Sequence, residues 1–263
     1  MDTFIIPEVE TLKLFTLVMI RFSGLVVSAP VLGSRNFPVI AKIGLAATVA
    51  MLITPLLPAL ETPLPSEPLP FLLLAASEVT IGLLMGFVMT LVFAAIQVGG
   101  QIMDMQTGFG MMNVFNPALE TQFPIFGFFF FILAVLYLLA VNGHHLMIRA
   151  MAATYEKIPV GGFALRPELM SEVSRWGSAV FVDGLMIAAP VAGAMLLAYV
   201  TMGLLGRAVP QIHLFVVGFP ITIAAGLLVV ALIIHVYLAY LDVEHGMFGR
   251  MFDNVASVIR VLG

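Results

Sequence analysis

Long runs of hydrophobic residues dominate the chain, and short polar or proline-rich stretches separate them. The runs cover approximately residues 12–32, 39–57, 71–98, 125–141, 179–205 and 212–241. A helix needs about 20 apolar residues to cross a bilayer, and these runs are of about that length. The pattern therefore predicts an all-α integral membrane protein built from long helices and hairpins.

Prolines are expected to set several boundaries. The stretch 58–70 carries five prolines, at positions 58, 63, 65, 68 and 70, and is predicted to be an extended loop. Pro190 and Pro220 are expected to break the fifth and sixth runs. The third run would form a helix of about 42 Å, which is longer than the roughly 30 Å hydrocarbon core. It must therefore tilt, kink or project.

Residues 99–124 differ in character from the runs around them, because they are rich in Gly, Met, Gln and Asn and carry little charge. Gly108, Gly110 and Asn116-Pro117 are expected to break regular structure. Irregular backbone at membrane depth is tolerated where it is buried in protein or lines a cavity. Two interpretations remain open: a plug or constriction in a pathway, and a plain connecting loop.

The residues after 241 form a separate pattern. Apolar side chains recur from Phe248 to Leu262 at helical spacing, whereas Arg250, Asp253, Ser257 and Arg260 fall elsewhere. This predicts an amphipathic helix, which packs either on its own protein or on a membrane or partner surface.

Composition narrows the class of protein. Hydrophobic residues make up 61% of the chain and charged residues 10%, against about 25% charged in soluble domains. The net charge of −4 gives no reason to expect nucleic acid as a partner. The chain has no cysteine, which excludes disulfides and thiolate chemistry.

Four ionisable residues lie within the apolar runs: Arg21, Glu78, Asp183 and His235. Charge at bilayer depth is costly unless it is paired or faces water, so each residue is a functional hypothesis. One interpretation is a proton or ion relay; the favoured one is a structural pair of Arg21 with Glu78 or Asp183. Gly82 and Gly86 share the helix face of Glu78 and form a small-residue contact surface.

No motif indicates catalysis, a cofactor or a metal. Adjacent His144 and His145 would point about 100° apart on a helix, whereas paired metal ligands usually stand at i and i+4. The Asp242-x-Glu244-His245 sequence is equally loose. We therefore expect no enzyme activity, no cofactor and no metal site. A membrane enzyme using His144 or His145 remains a weaker alternative.

Several stretches in order resemble the FliR family, the export-gate component of flagellar and related type III secretion systems. They are Ala29-Pro30-Val-Leu, Asn142-Gly-His-His, Ile158-Pro-Val-Gly161, Arg207-x-x-Pro-Gln-Ile and Phe215-Val-Val-Gly-Phe-Pro220. The resemblance spans essentially the whole chain. It implies a subunit that joins P-type and Q-type membrane proteins in a helical export gate, through which unfolded flagellar proteins pass.

The resemblance also implies an internal division and particular site residues. Residues 1–177 would be a P-like part, and 178–263 a Q-like helical hairpin with an amphipathic tail. Arg207, Pro210 and Gln211 would meet the FlhB-like switch component. A plug loop would occupy about 108–124, and its candidate residues are Gly108, Phe109, Gly110, Met111, Met112, Asn113, Val114, Phe115, Asn116 and Pro117. The implied location is the bacterial inner membrane, in contact with lipid, at the flagellar basal body.

Overall fold

A computed structural model of the chain describes residues 5–58, 63–111, 124–164, 166–209, 211 and 214–263. Within these residues the secondary structure is entirely helical apart from turns, so the predicted all-α fold is confirmed. Two 3₁₀ turns, Thr54–Leu56 and Phe109–Met111, follow the second and third helices. The α-helices are α1 (Ile5–Ser28), α2 (Val39–Ile53), α3 (Pro68–Thr107), α4 (Ile125–Ala140), α5 (Gly143–Lys157), α6 (Glu168–Ala208), α7 (Leu214–Tyr240) and α8 (Met247–Leu262).

Five helical segments in the described part of the chain are long and apolar enough to cross a membrane, or up to six if α4 and α5 form one broken span. These segments leave many large hydrophobic side chains on the protein surface. Ile40 is 85% exposed and Leu197 is 69% exposed. Such extensive apolar surface is expected of helices that lipid or other helices cover.

The chain divides into two compact units, and the first comprises residues 1–91, 142–174 and 251–263. Here α1 packs against α2, and it meets α3 at glycines. A Cβ atom on Gly82 would collide with the carbonyl oxygen of Arg21, and one on Gly86 with the Ser28 hydroxyl. The small-residue surface of α3 therefore lets the two backbones touch.

The second unit comprises residues 92–141 and 175–250. Glycines again bring helices together, because a Cβ atom on Gly100 of α3 would collide with the backbone of Gly127 in α4. The α7 residue Tyr237 packs on Phe130 of α4 with ring centroids 4.5 Å apart, and its hydroxyl donates to the Phe130 carbonyl at 3.0 Å. The Tyr237 side chain thus connects α7 to α4 through both its ring and its hydroxyl.

Helix boundaries differ from the sequence expectation at several prolines and glycines. Helix α3 begins at Pro68, inside the stretch expected to be extended, because a proline in the first helical turn loses no hydrogen bond. It continues to Thr107 through residues expected to be irregular, and its glycines there are held in close helix contacts. Pro190 and Pro220 lie inside continuous helices, which membrane proteins tolerate.

The C-terminal helix α8 forms over the residues whose spacing predicted it. Phe248, Met251, Val255 and Leu262 are all buried. Ser257 was expected away from the buried face, but it is only 4% exposed. Its hydroxyl donates to the Asn254 carbonyl at 2.7 Å, which removes the cost of burying it.

Candidate functional site

The most complete polar cluster in the first unit surrounds Arg21 of α1. Arg21 and Glu78 of α3 are both fully buried, and the guanidinium Nε donates to the Glu78 carboxylate at 2.5 Å. The second carboxylate oxygen of Glu78 accepts the backbone N–H of Gly161 at 3.0 Å. Both oxygens of Glu78 therefore have a donor.

The remaining donors of Arg21 reach α5 and the turn that follows it. Nη1 donates to the Thr154 hydroxyl and to the Ile158 carbonyl, each at 3.0 Å, and the ring of Tyr155 lies 4.0 Å from the guanidinium carbon. We call Arg21, Glu78, Thr154, Tyr155 and the turn 158–161 the Arg21 cluster. It joins α1, α3 and α5 through one planar guanidinium, whose fixed fork of donors suits several acceptors at once.

The sequence pattern offered Arg21 with Glu78 as one of two possible pairs, but it did not mark the other members of the cluster. Thr154 and Tyr155 carry no signal of their own, since the polar face of α5 looks like an ordinary solvated surface. The one available signal was the Ile158-Pro-Val-Gly161 resemblance, which contains three backbone groups that the pair uses: the carbonyls of Ile158 and Pro159 and the N–H of Gly161.

Asp183 has its partners within the second unit. Its carboxylate forms a salt bridge with Arg250 at 3.0 Å and accepts a hydrogen bond from the Tyr240 hydroxyl at 3.2 Å. The Arg250 side chain is 45% exposed, and its guanidinium carbon lies 5.3 Å from the Tyr240 ring centroid. Because water reaches this pair, breaking it should cost less stability than breaking a buried pair.

A further polar contact lies where α3 ends and α4 begins. The carboxylate of Asp104, which is only 4% exposed, accepts the backbone N–H groups of Phe126 at 3.0 Å and Gly127 at 3.4 Å. The carbonyl of the fully buried Thr107 accepts a hydrogen bond from the Thr222 hydroxyl of α7 at 3.0 Å. We call Asp104, Thr107, Phe126, Gly127 and Thr222 the loop base.

The loop base brackets the predicted plug. Gly108 has a φ of +93°, which favours glycine, and a Cβ atom there would lie 3.0 Å from the Phe219 ring. Phe109 packs edge-to-face on Phe126 at 5.4 Å, and the 3₁₀ turn that it begins includes Gly110 and Met111. The other candidate plug residues lie outside the described residues: Met112, Asn113, Val114, Phe115, Asn116 and Pro117.

The predicted partner loop follows α6. Arg207 and Gln211 are exposed, and Pro210 lies outside the described residues.

The two histidines of α5 do not diverge as expected, since their ring centroids are 4.1 Å apart. In the part of the chain that the structure describes, no group of three His, Asp or Glu residues could hold a metal ion.

Asp242 lies between α7 and α8, and its side chain binds the backbone of the residues that follow it. Its carboxylate accepts the N–H groups of His245 and Glu244, each at 3.1 Å. The bond from His245, followed by those from Glu244 and Val243, lowers the pKa of this exposed carboxyl because it stabilises the charged form. The Asp242-x-Glu244-His245 sequence therefore forms a local turn.

The described residues form a helical protein with several helices long and apolar enough to span a membrane, in which the buried side chains of Arg21, Glu78 and Asp104 have hydrogen-bond partners. A profile of the family described as "Bacterial export proteins, family 1" matches residues 12–246. The chain belongs to this family.

Three relatives match over nearly their whole length. The flagellar biosynthetic protein FliR of Escherichia coli (strain K12) is 32% identical over 252 residues, which cover 95% of this chain and 94% of that protein. FliR of Pectobacterium carotovorum subsp. carotovorum is 31% identical, with coverage of 92% and 91%. FliR of Bacillus subtilis (strain 168) is 29% identical, with coverage of 97% and 98%. The resemblance to the FliR family is confirmed.

Proposed function

We propose that the chain is a FliR-type subunit of the flagellar type III export gate. With P-type and Q-type subunits it would form the pore through which unfolded flagellar proteins leave the cell. The observation that carries this proposal is the near full-length similarity to proteins named flagellar biosynthetic protein FliR, together with the family match over residues 12–246. The membrane-compatible helices support it.

The lengths of α3 and α6 agree with a gate assembled from several subunits. They contain 40 and 41 residues, so each would extend about 60 Å, roughly twice the hydrocarbon thickness. Helices of this length with exposed apolar faces need cover beyond the bilayer, and sister subunits would supply it. We retain the division into a P-like part (1–177) and a Q-like part (178–263) as part of this proposal.

The proposal extends to location and partners. The gate would lie in the bacterial inner membrane at the flagellar basal body, and the loop containing Arg207, Pro210 and Gln211 would meet the FlhB-like switch component. The role is structural and not enzymatic, with no cofactor. Energy for export would come from the proton motive force and an associated ATPase.

Gene deletion tests the function directly. Removing the gene from its bacterium should abolish export of flagellar proteins and swimming, and a plasmid copy of the chain should restore both. Export that continues undiminished in the deletion strain would contradict the proposal. Loss of growth without loss of export would point to a different membrane function.

We further propose that residues 108–124 plug the closed pore. A loop rich in Met and Phe could seal against ions and still yield to a polypeptide, because apolar contacts are non-directional. Deleting residues 110–116 should therefore leave the complex assembled and raise its ion conductance in planar bilayers. Wild-type conductance from a fully assembled deletion variant would remove the plug assignment.

The competing hypothesis is a secondary transporter that relays protons through Glu78 and Asp183. Its support is weak, because Glu78 is held by Arg21 and by Gly161, and Asp183 by Arg250 and Tyr240. Asp183→Asn should lower stability by at most about 1 kcal/mol, because the pair is partly exposed. Swimming in soft agar should stay near the wild-type rate. A non-swimming variant that still assembles would favour the relay.

A further inference from the structure

The helix α4 lacks a cap of its own. It begins after Pro124, which makes no side-chain hydrogen bond to the first turn. The first backbone N–H groups of any helix have no partner within the helix, and a side chain directly before it usually accepts those of the second and third positions. In α4 those positions are Phe126 and Gly127, and Asp104 accepts from both.

Asp104 therefore performs the capping role from a different helix. It lies in the last turn of α3, and 22 residues separate it from Phe126. Its negative charge faces the positive end of the α4 dipole, which offsets the cost of burying the carboxylate. One helical turn earlier, the contact of Gly100 with Gly127 brings the two helices close enough for these bonds.

This arrangement has a mechanical consequence. An ordinary capping residue directly precedes its helix and moves with it, so its hydrogen bonds do not depend on the position of any other helix. The Asp104 bonds exist only while the end of α3 and the start of α4 stay together. The proposed plug is the segment of chain that connects these two helix ends. Thr222 holds the residue before the loop, Thr107, onto α7 in the same way.

We propose that Asp104 is the positioning residue that keeps the loop base closed, so that the gate stays sealed until these bonds break. This inference rests on the proposed plug role of residues 108–124. A hydrogen bond to a charged group contributes more than a neutral one, so losing the charge should shift the balance of closed and open states by about tenfold.

The test is conductance of the assembled gate complex with Asp104→Asn, an isosteric change that removes the charge. Its matched control is Asp253→Asn, which alters an exposed carboxylate on α8. We expect leakage to rise by about tenfold for Asp104→Asn at wild-type complex yield. The control should leak no more than the wild type.

A second variant covers the case in which Asp104→Asn fails to assemble. Thr222→Val removes the hydroxyl that holds Thr107 and should also raise leakage, by a smaller factor. Its control is Thr201→Val in α6, whose exposed hydroxyl donates to the Leu197 carbonyl one turn back in the same helix. Wild-type leakage from assembled Asp104→Asn would overturn the proposal, and where that variant does not assemble, wild-type leakage from assembled Thr222→Val would overturn it.

The double variant separates positioning of the loop from general weakening of the fold. If Asp104 acts through the loop, adding Asp104→Asn to the deletion of residues 110–116 should leave leakage at the level of the deletion alone. Leakage that multiplies in the double variant would contradict the proposal. If the deletion leaks and Asp104→Asn does not, the positioning role fails and the plug stands. If neither leaks, the plug assignment itself fails.

Discussion

Replacing Arg21 with alanine is expected to destabilise the chain by about 3–5 kcal/mol, the range measured when one partner of a buried ion pair is removed. The change leaves the fully buried Glu78 without its cation and removes the donors that hold Thr154 and Ile158. The unfolding temperature of the gate complex in mild detergent should fall, and the amount of assembled complex should fall with it.

Two comparisons make this prediction specific. Arg35→Ala changes an exposed arginine in the loop after α1 and should have little effect. The double variant Arg21→Met/Glu78→Met should recover part of the stability lost in Arg21→Ala, because no buried charge remains. Equal stability of Arg21→Ala and Arg35→Ala would mean that the cluster does not hold α1, α3 and α5 together.

Replacing Gly82 with alanine is expected to have a comparable effect through packing alone. The new Cβ atom would collide with the Arg21 carbonyl and lie 2.9 Å from the Gly24 Cα atom, and both of these obstacles are backbone. Overpacking a core typically costs about 1–3 kcal/mol, and backbone obstacles place this site at the upper end. Unfolding temperature and complex yield measure the loss.

Gly44 in α2 supplies the matched control, because nothing lies within 4 Å of a Cβ atom built there. Gly44→Ala should be neutral or slightly stabilising, since alanine favours helix over glycine by up to about 1 kcal/mol. If Gly82→Ala is as stable as Gly44→Ala, the close approach of α1 and α3 is not the contact that supports this unit.

Helices and their order could be predicted because burial in lipid or protein produces long apolar runs. Helix ends were harder. The apolar run 71–98 predicted a helix of the right kind, but the helix extends to Thr107, through Gly99 and Gly100 at the start of the stretch that was expected to differ in character. Their role depends on neighbours distant in sequence, Ile187 and Gly127, and no local pattern contains that information.

The polar sites show the same division. Arg21 and Glu78 stood out because charge inside an apolar run is costly, and the favoured structural pair named Glu78 as one of two candidates. Asp104 was only one acidic residue in a polar stretch. Its importance comes from the uncapped start of α4, 22 residues later, which only the packed structure brings beside it.

If the proposed function is right, the chain works as a subunit of the export gate and not alone. Affinity purification of the tagged full chain from its own bacterium in mild detergent, followed by mass measurement of the intact particle, tests this most directly. We expect a large complex that contains P-type and Q-type membrane subunits together with the chain. A monodisperse, stable monomer with none of these partners would contradict it.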